Sequence, residues 1–483
     1  MKNKEDHTMS SEKAFRKAAS PGGKDMVHVC WYGEAVGHAY IDEQEGLVWG
    51  GYDNDSMQSL FGAHLPCRES DGMPWFLANL WPDNDMFSIL GHKDQISYIT
   101  GGLKFPANIT ISRNAPWDHP VRNDYLLTSL ENHIDDHGVF TGRMMRKLPK
   151  SLEENELAHE LSSLWKNRHV PRYSGKEIKI PMTLHEEGEL QSAITSPFTH
   201  FLKFPNAGLR EGWGVNEWMC MELCAATGLP TAKHALVPLG DNLPPAYMTE
   251  RFDIDPLTHR GNKRYLIQDF CTLSGMRPLD QLHPDSNKEG KAAGSLEQVA
   301  KIVKQYSSSP QDDVENLFKR TLVSIAVADS DMHRKNISMI FEYDADRNEL
   351  LSGHLAPAYD ITSEIHQEED RHGMVLPMAG KRKAFSRKSL ISFGRNIGID
   401  PERAEQIIDH TFEAIAVRAV DIARNLPPEA RHSEMCVYTA QRIATIAVEK
   451  ARHMGVATPD WEPVSRRREP DARRPSLPGA LGV

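Results

Sequence analysis

The chain has 483 residues, room for two to four domains at the usual size of about 100–200 residues each. Its 67 acidic against 56 basic side chains leave a net charge of −11, so the chain as a whole lacks the basic excess that neutralises nucleic-acid phosphates, and any DNA contact is local or borrowed from a partner. With 40% hydrophobic and 25% charged residues it has the composition of a folded globular protein, which excludes wholesale disorder and a membrane bundle.

Residues 1–24 are polar, lack the apolar run of a secretory signal and are expected as a flexible tail. Nowhere is there an apolar stretch of about 18–20 residues, and the six cysteines show no CxxC spacing; together these point to a reducing cytoplasm and no membrane contact. From Val27 short strand-like segments follow one another, Val27–Tyr32, Ala39–Ile41 and Leu47–Gly51, punctuated by glycine, and residues 25–150 are expected as a small α+β domain. Ser151 with Glu154 three residues on has capping-box spacing and predicts a helix to about Trp165. Strands return at Ile178–Ile180, Thr199–Phe204 and Ala246–Phe252, with a helix at about 215–227 closed by Gly228-Leu229-Pro230, the pattern of a mixed sheet crossed by one helix. Beyond about 265 helical periodicity dominates: Val314, Leu317, Phe318, Leu322 and Ile325 share a face, and two long segments at about 401–424 and 428–453 follow. A β-rich lobe followed by an all-α lobe is the expected α+β architecture. Residues 456–483, with Arg466-Arg467-Arg468 and several prolines, are expected as a second flexible tail.

Candidate chemistry gathers around Asp329-Ser330-Asp331-Met332-His333-Arg334-Lys335-Asn336. An Asp followed five positions later by an Asn is the spacing of a kinase catalytic loop, in which the Asp takes the hydroxyl proton and the Asn holds magnesium. A helix cap and a solvated turn are the other reading of the same residues. Downstream, Asp360 follows a hairpin, where a kinase supplies its main magnesium carboxylate; with Asn336 it makes a sufficient protein share for Mg²⁺, which completes its shell with phosphate oxygens. Lys203 lies in an otherwise apolar strand, where either an anion such as a nucleotide phosphate meets it or an edge position lets it snorkel to water. Glu217 either pairs with that lysine or sits on a helix surface. The loop Ser174-Gly175-Lys176-Glu177-Ile178-Lys179 offers backbone amides and two lysines to a phosphate, or is a plain hairpin turn. His133 and His137 have the spacing of one helical face but no third metal ligand, and Cys220 and Cys224 read as buried core thiols.

The ordered set Ser174-Gly175…Lys179, Thr199-His200…Lys203, Asn216-Glu217, Thr249-Glu250-Arg251-Phe252-Asp253, Gln268-Asp269-Phe270, Asp331…His333…Lys335-Asn336 and Ala358-Tyr359-Asp360 resembles the HipA family of bacterial toxin kinases, as do Tyr32-Gly33…Val36-Gly37 and Pro74-Trp75-Phe76 before it. The resemblance runs from about 27 to 455. It implies a HipA-like kinase fold related to phosphoinositide kinases, divided as 25–150 for an N-terminal subdomain, 151–255 for the ATP-binding lobe and 256–455 for the helical lobe with the catalytic loop. It implies a protein Ser/Thr kinase that uses ATP and Mg²⁺, has aminoacyl-tRNA synthetases among its targets, and is held by a helix-turn-helix antitoxin through which alone it meets DNA. Carried over, Asp331 is the catalytic base, His333 and Asn336 contact nucleotide or metal, Lys203 binds phosphate, Asp360 holds magnesium, and Glu250, Arg251 and Phe252 border the adenine mainly through their backbone. Glu177 stands where the family usually has Gln, and Arg172 where many members carry an autophosphorylated serine, so self-inactivation at that position is not implied. The rival reading is a kinase-fold binding protein acting as a co-repressor with its antitoxin.

Overall fold

The computed structural model describes residues 25–32, 34–42, 46–53, 55, 57–58, 74–78, 101–104, 109–113, 127–144, 179–193, 198–204, 211–240, 243–254, 263–275, 294–344, 349–365 and 374–464. The helix expected at 151–165 and the loop Ser174–Ile178 lie outside them.

The first sheet holds β1 (Met26–Trp31), β2 (Glu34–Asp42), β3 (Gly46–Tyr52), β4 (Gly101–Lys104) and β5 (Ile109–Ser112) in the order β3-β2-β1-β5-β4, every pairing antiparallel. Val27, Val29 and Trp31 recur with the two-residue period of a strand and enter the core. The second sheet holds β6 (Arg143–Met144), β7 (Lys179–Leu184), β8 (Glu189–Ser192), β9 (His200–Lys203), β10 (His234–Val237) and β11 (Ala246–Glu250) in the order β10-β11-β9-β7-β8-β6, antiparallel except for the β6–β8 pair. It is the mixed sheet expected from the sequence. A third sheet, β12 (Lys263–Asp269), β13 (Ser338–Asp344) and β14 (Glu349–Leu355), frames the catalytic-loop candidate. The Trp31 ring packs at a tilt against that of Tyr343, 5.2 Å between centroids, and the Tyr32 hydroxyl lies 3.4 Å from the main chain of Tyr265, so the first sheet docks on the third.

Among the described residues there are six longer helices: α1 (Trp213–Ala226), α2 (Leu296–Tyr306), α3 (Pro310–Ala326), α4 (Arg387–Asn396), α5 (Pro401–Arg424) and α6 (Glu434–His453). Helix α5 starts where its chemistry demands, with Pro401 in the first turn and the Asp400 carboxylate accepting from the amides of Glu402 and Arg403. The segment expected as one helix over 428–453 is a single turn at Pro428–Arg431 and then α6, because Ser433 caps a new start by accepting from the Cys436 amide. Part of the expected C-terminal tail is laid down: Trp461 donates to Thr445 of α6 at 3.1 Å, and Val456, Trp461 and Val464 pack on the core, so residues 456–464 are not a free tail. No described helix is long and apolar enough to cross a membrane.

Helix α1 positions the site. Ten of its 14 residues are buried, because it lies on β10 and β11 on one side and against α5 and α6 on the other. Its Glu222 carboxylate reaches both ways, 3.3 Å from His234 of β10 and 2.6 Å from Arg418 of α5. At its start, a Cβ on Gly214 would sit 2.6 Å from the carbonyl oxygen of Pro245. Gly214→Ala therefore has to push the helix off the sheet, with an expected loss of about 1–3 kcal/mol of stability, read by urea unfolding of the two proteins side by side.

Candidate active site

Strand register brings two lysines together. Lys203 of β9 pairs with Lys179 of β7 on one side and with Tyr247 of β11 on the other, so it lies in the middle of the sheet and not at an edge. Its side chain is 6% exposed. Like charges opposed across a ladder are unfavourable unless anions meet them. Here the anions are Glu217, whose oxygens lie 2.7 and 2.8 Å from the Lys203 ammonium, and Asp360, 2.6 Å from it; Asp360 also lies 3.9 Å from Lys179. The snorkelling alternative for Lys203 and the surface alternative for Glu217, itself 1% exposed, are both excluded.

Asp360 stands at φ +55°, a left-handed conformation that aspartate tolerates better than most side chains. Burial alone works to raise its pKa, but Lys179 and Lys203 outweigh burial and hold the carboxyl well below the usual range. The residue before it ties the two loops of the site together. The Tyr359 hydroxyl donates to the Lys335 carbonyl at 2.8 Å and lies 2.6 Å from Ser338 Oγ, while its ring stands 5.4 Å from that of Phe252.

The loop after α3 is braced from beneath. Asp329 is buried, accepts from Ser324 Oγ at 2.9 Å and from the Asp331 amide at 3.0 Å, and lies 3.5 Å from the Arg320 guanidinium. The Asp331 side chain is 62% exposed. One helical turn, Arg334–Asn336, carries Asn336 back toward the start of the loop, where its Nδ2 donates to the Asp331 carbonyl at 3.0 Å. His333 Nε2 lies 3.7 Å from Asp331 Oδ1; burial lowers its pKa against the pull of nearby Asp360. Asn336 Oδ1 and the Asp360 carboxylate are hard oxygen donors of the kind Mg²⁺ takes, and two such ligands with phosphate oxygens are its usual complement. The residues present fit that ion. Among the described residues His133, at the end of a single 3-10 turn, and His137, in the turn beyond, join no group of three metal-ligating side chains.

At the strand end expected to border adenine, two side chains are committed elsewhere. The Glu250 carboxylate accepts from the Leu130 amide at 2.6 Å and from Ser129 Oγ at 3.0 Å. Arg251 makes two bonds to Asp253, at 2.9 and 2.7 Å, and lies over the Phe198 ring. Their amides are taken as well, Glu250 donating to the Lys233 carbonyl at 2.8 Å and Arg251 to the Thr199 carbonyl at 2.9 Å, while the Phe252 ring stands beside Tyr359. Of the phosphate loop only Lys179 is described. Asp269, part of the Gln-Asp-Phe motif, caps the short turn that follows it by accepting from the Thr272 amide at 2.7 Å.

The sequence reading missed Arg320. It is 3% exposed and reaches Ser324 and Asp329 in one direction and the Tyr359 carbonyl, at 3.3 Å, in the other. One guanidinium thus joins the catalytic-loop candidate to the Asp360 turn. Its signal was a charge at a core position of α3, one turn after Leu317 and one before Ser324, in a helix where Asp313 is buried as well.

Burial pushes the Asp329 carboxyl up to about 6, against the opposing pull of Arg320 and the Ser324 hydroxyl. The folded state therefore holds a proton that the unfolded chain has released. That contribution to stability is complete below the ordinary pKa of 3.8 and is lost as pH rises through about 6. Asp329→Asn keeps an acceptor for the Asp331 amide and removes the titration. Its melting temperature is expected to change less than wild type between about pH 4 and pH 6, as a series of thermal melts would read.

A family model described as the HipA-like C-terminal domain matches residues 172–419, just over half of the chain. The chain belongs to that family. The HipA-like match takes in every site residue named above, from the two lysines to Asp360. A Sinorhizobium fredii protein named "Putative kinase Y4mE" is 26% identical over 255 residues, which is 50% of this chain and 56% of that protein, so the HipA-like chain spans about half the length of this curated relative. A solved structure titled as the Shewanella oneidensis toxin–antitoxin system HipA, HipB and operator DNA complex matches at a TM-score of 0.58 and 15% identity, over 89% of this chain and 98% of that one. That likeness is one of fold, and the fold is α+β as expected from the sequence; the C-terminal half is not all-α, however, because β12, β13 and β14 form a three-stranded sheet within it.

Proposed function

We propose that this HipA-like protein is an ATP-dependent Ser/Thr protein kinase and the toxin of a toxin–antitoxin pair. The observation that carries the reading is the Lys203 ammonium held between Glu217 and Asp360, with Lys179 beside it, at a loop that holds an open Asp331 and a back-folded Asn336. Phosphoryl transfer asks little covalent chemistry of a protein and much positioning and charge compensation. When bound, Mg²⁺–ATP supplies the transferable phosphoryl group. Lys203 and Lys179 neutralise phosphate oxygens; Asp360 and Asn336 Oδ1 are the metal-holding groups; Asp331 accepts the proton of the acceptor hydroxyl at its carboxylate. Phe252 and the backbone of 250–252 line the base.

We take the acceptor to be a protein hydroxyl, and the family resemblance points to aminoacyl-tRNA synthetases. A DNA-binding antitoxin partner accords with the net charge of −11 and with the fold neighbour, which was solved with HipB and operator DNA. Radiolabelled ATP, the purified chain and a cell extract test the proposal. Label is expected on a discrete extract protein at serine or threonine. No transfer to any protein, with the chain folded, would overturn it. A gel-shift of the chain alone is expected to show weak, salt-sensitive DNA retention; tight, sequence-selective binding without a partner would count against the antitoxin part.

A further inference from the structure

Helix α1 offers a second polar side chain to the site, immediately before Glu217. Asn216 is 2% exposed, and its amide makes both possible bonds to the main chain of one residue beyond Asp360: Nδ2 donates to the Ser363 carbonyl at 2.8 Å, and Oδ1 accepts from the Ser363 amide at 2.7 Å. The side chain behaves here as one rung of a strand ladder. The Ser363 hydroxyl takes no part in either bond.

A left-handed aspartate persists only where its flanks are fixed. Before Asp360, Ala358 donates to the Pro230 carbonyl at 2.8 Å and Tyr359 is tied at its hydroxyl and at its carbonyl. After it, the anchors are the Asn216 pair at Ser363 and the Glu364 amide on the Ala328 carbonyl at 3.2 Å. The contacts form a closed circuit, from Asn216 through Ser363 to Asp360, across to Lys203 and back to Glu217. We propose that Asn216 is a positioning residue that fixes the Asp360 carboxylate for the metal, so that two successive side chains of α1 set the phosphate lysine and the metal ligand as one unit. The inference rests on the kinase reading for its functional half and on geometry alone for its structural half.

Two measurements keep those halves apart. Amide hydrogen exchange on the chain without nucleotide asks whether Asn216 immobilises the Asp360 turn: Asn216→Ala is expected to lose at least tenfold protection at residues 361–365 while α1 keeps its own. Phosphoryl transfer with ATP over a magnesium titration asks what that is for: the half-saturating Mg²⁺ concentration is expected to rise about tenfold or more, with the KM for ATP at saturating Mg²⁺ within about threefold of wild type. Ser363→Ala, which leaves both bonds in place, is expected to match wild type in both assays. Should Asn216→Ala fail to fold, Asn216→Asp, which keeps the acceptor for the Ser363 amide and sets an oxygen against its carbonyl, carries the same two measurements. Unchanged protection at 361–365 overturns the clamp. Lost protection with an unchanged magnesium requirement, or with magnesium and ATP constants raised alike, overturns the metal-positioning role. A wild-type chain that transfers no phosphate overturns the kinase reading and leaves the exchange result to judge the clamp.

Discussion

Lys203→Ala is expected to weaken ATP binding by about 2–5 kcal/mol, because it removes one partner of a desolvated charge pair. At about 1.4 kcal/mol per tenfold, that is a rise in Kd of roughly thirtyfold or more. The same substitution leaves Glu217, 1% exposed, with no ammonium between it and Asp360. Breaking a buried ion pair in this way typically costs about 3–5 kcal/mol of stability, so a lower melting temperature accompanies the lost affinity. Binding and folding can still be separated. Lys203→Met with Glu217→Gln removes that ion pair and leaves Asp360 facing Lys179, so part of the stability is expected to recover while ATP affinity does not. Calorimetric titration of the folded single variant decides the matter: wild-type affinity would take Lys203 out of the phosphate site.

Asp331→Asn is expected to lower phosphoryl transfer by about 10²–10⁴-fold, the usual contribution of a positioned general base. It is expected to leave ATP affinity and stability nearly alone. Its carboxylate is mostly in solvent, and the bond that shapes the loop there, from Asn336, goes to its backbone carbonyl. Asp360→Asn should behave oppositely. It removes the charge facing Lys203 and Lys179 and one of the two metal-holding groups, so Mg²⁺-dependent ATP binding falls first and stability falls with it. Rate, calorimetry and melting temperature measured on both variants separate chemistry from binding. An Asp331→Asn protein that transfers phosphate at the wild-type rate and still arrests growth on overexpression would remove that residue from the base role.

What could be read from the residues followed from how local each signal was. Helix α5 was expected at 401–424 and occupies Pro401–Arg424, because a capping aspartate, an N-terminal proline and an unbroken 3.6-residue period all lie in one stretch. The environment of Lys203 was open from sequence, since a strand does not announce whether it is an edge; its neighbours β7 and β11 lie before and after it in the chain. Glu217 was open for the same reason. A helix buried on nearly all sides shows no polar stripe, so a core carboxylate on it looks like a surface one until the lysine is seen. The motif at 250–252 marked a real strand end but not the destinations of its side chains, because Ser129, Leu130 and Phe198 are distant in sequence. Arg320 was hidden by the habit of reading a single arginine on an amphipathic helix as solvated.

The helix that carries Asn216, Glu217 and Glu222 belongs by sequence to the first lobe and by packing to both. A fragment ending near 255 would bare the side of α1 on which α5 and α6 now lie, and a fragment beginning there would bare the facing sides of those two helices. Cutting the chain at the lobe boundary expected from the sequence should therefore yield two sticky halves rather than two self-sufficient pieces. A split version is expected to regain solubility only when both parts are made together in the same cell.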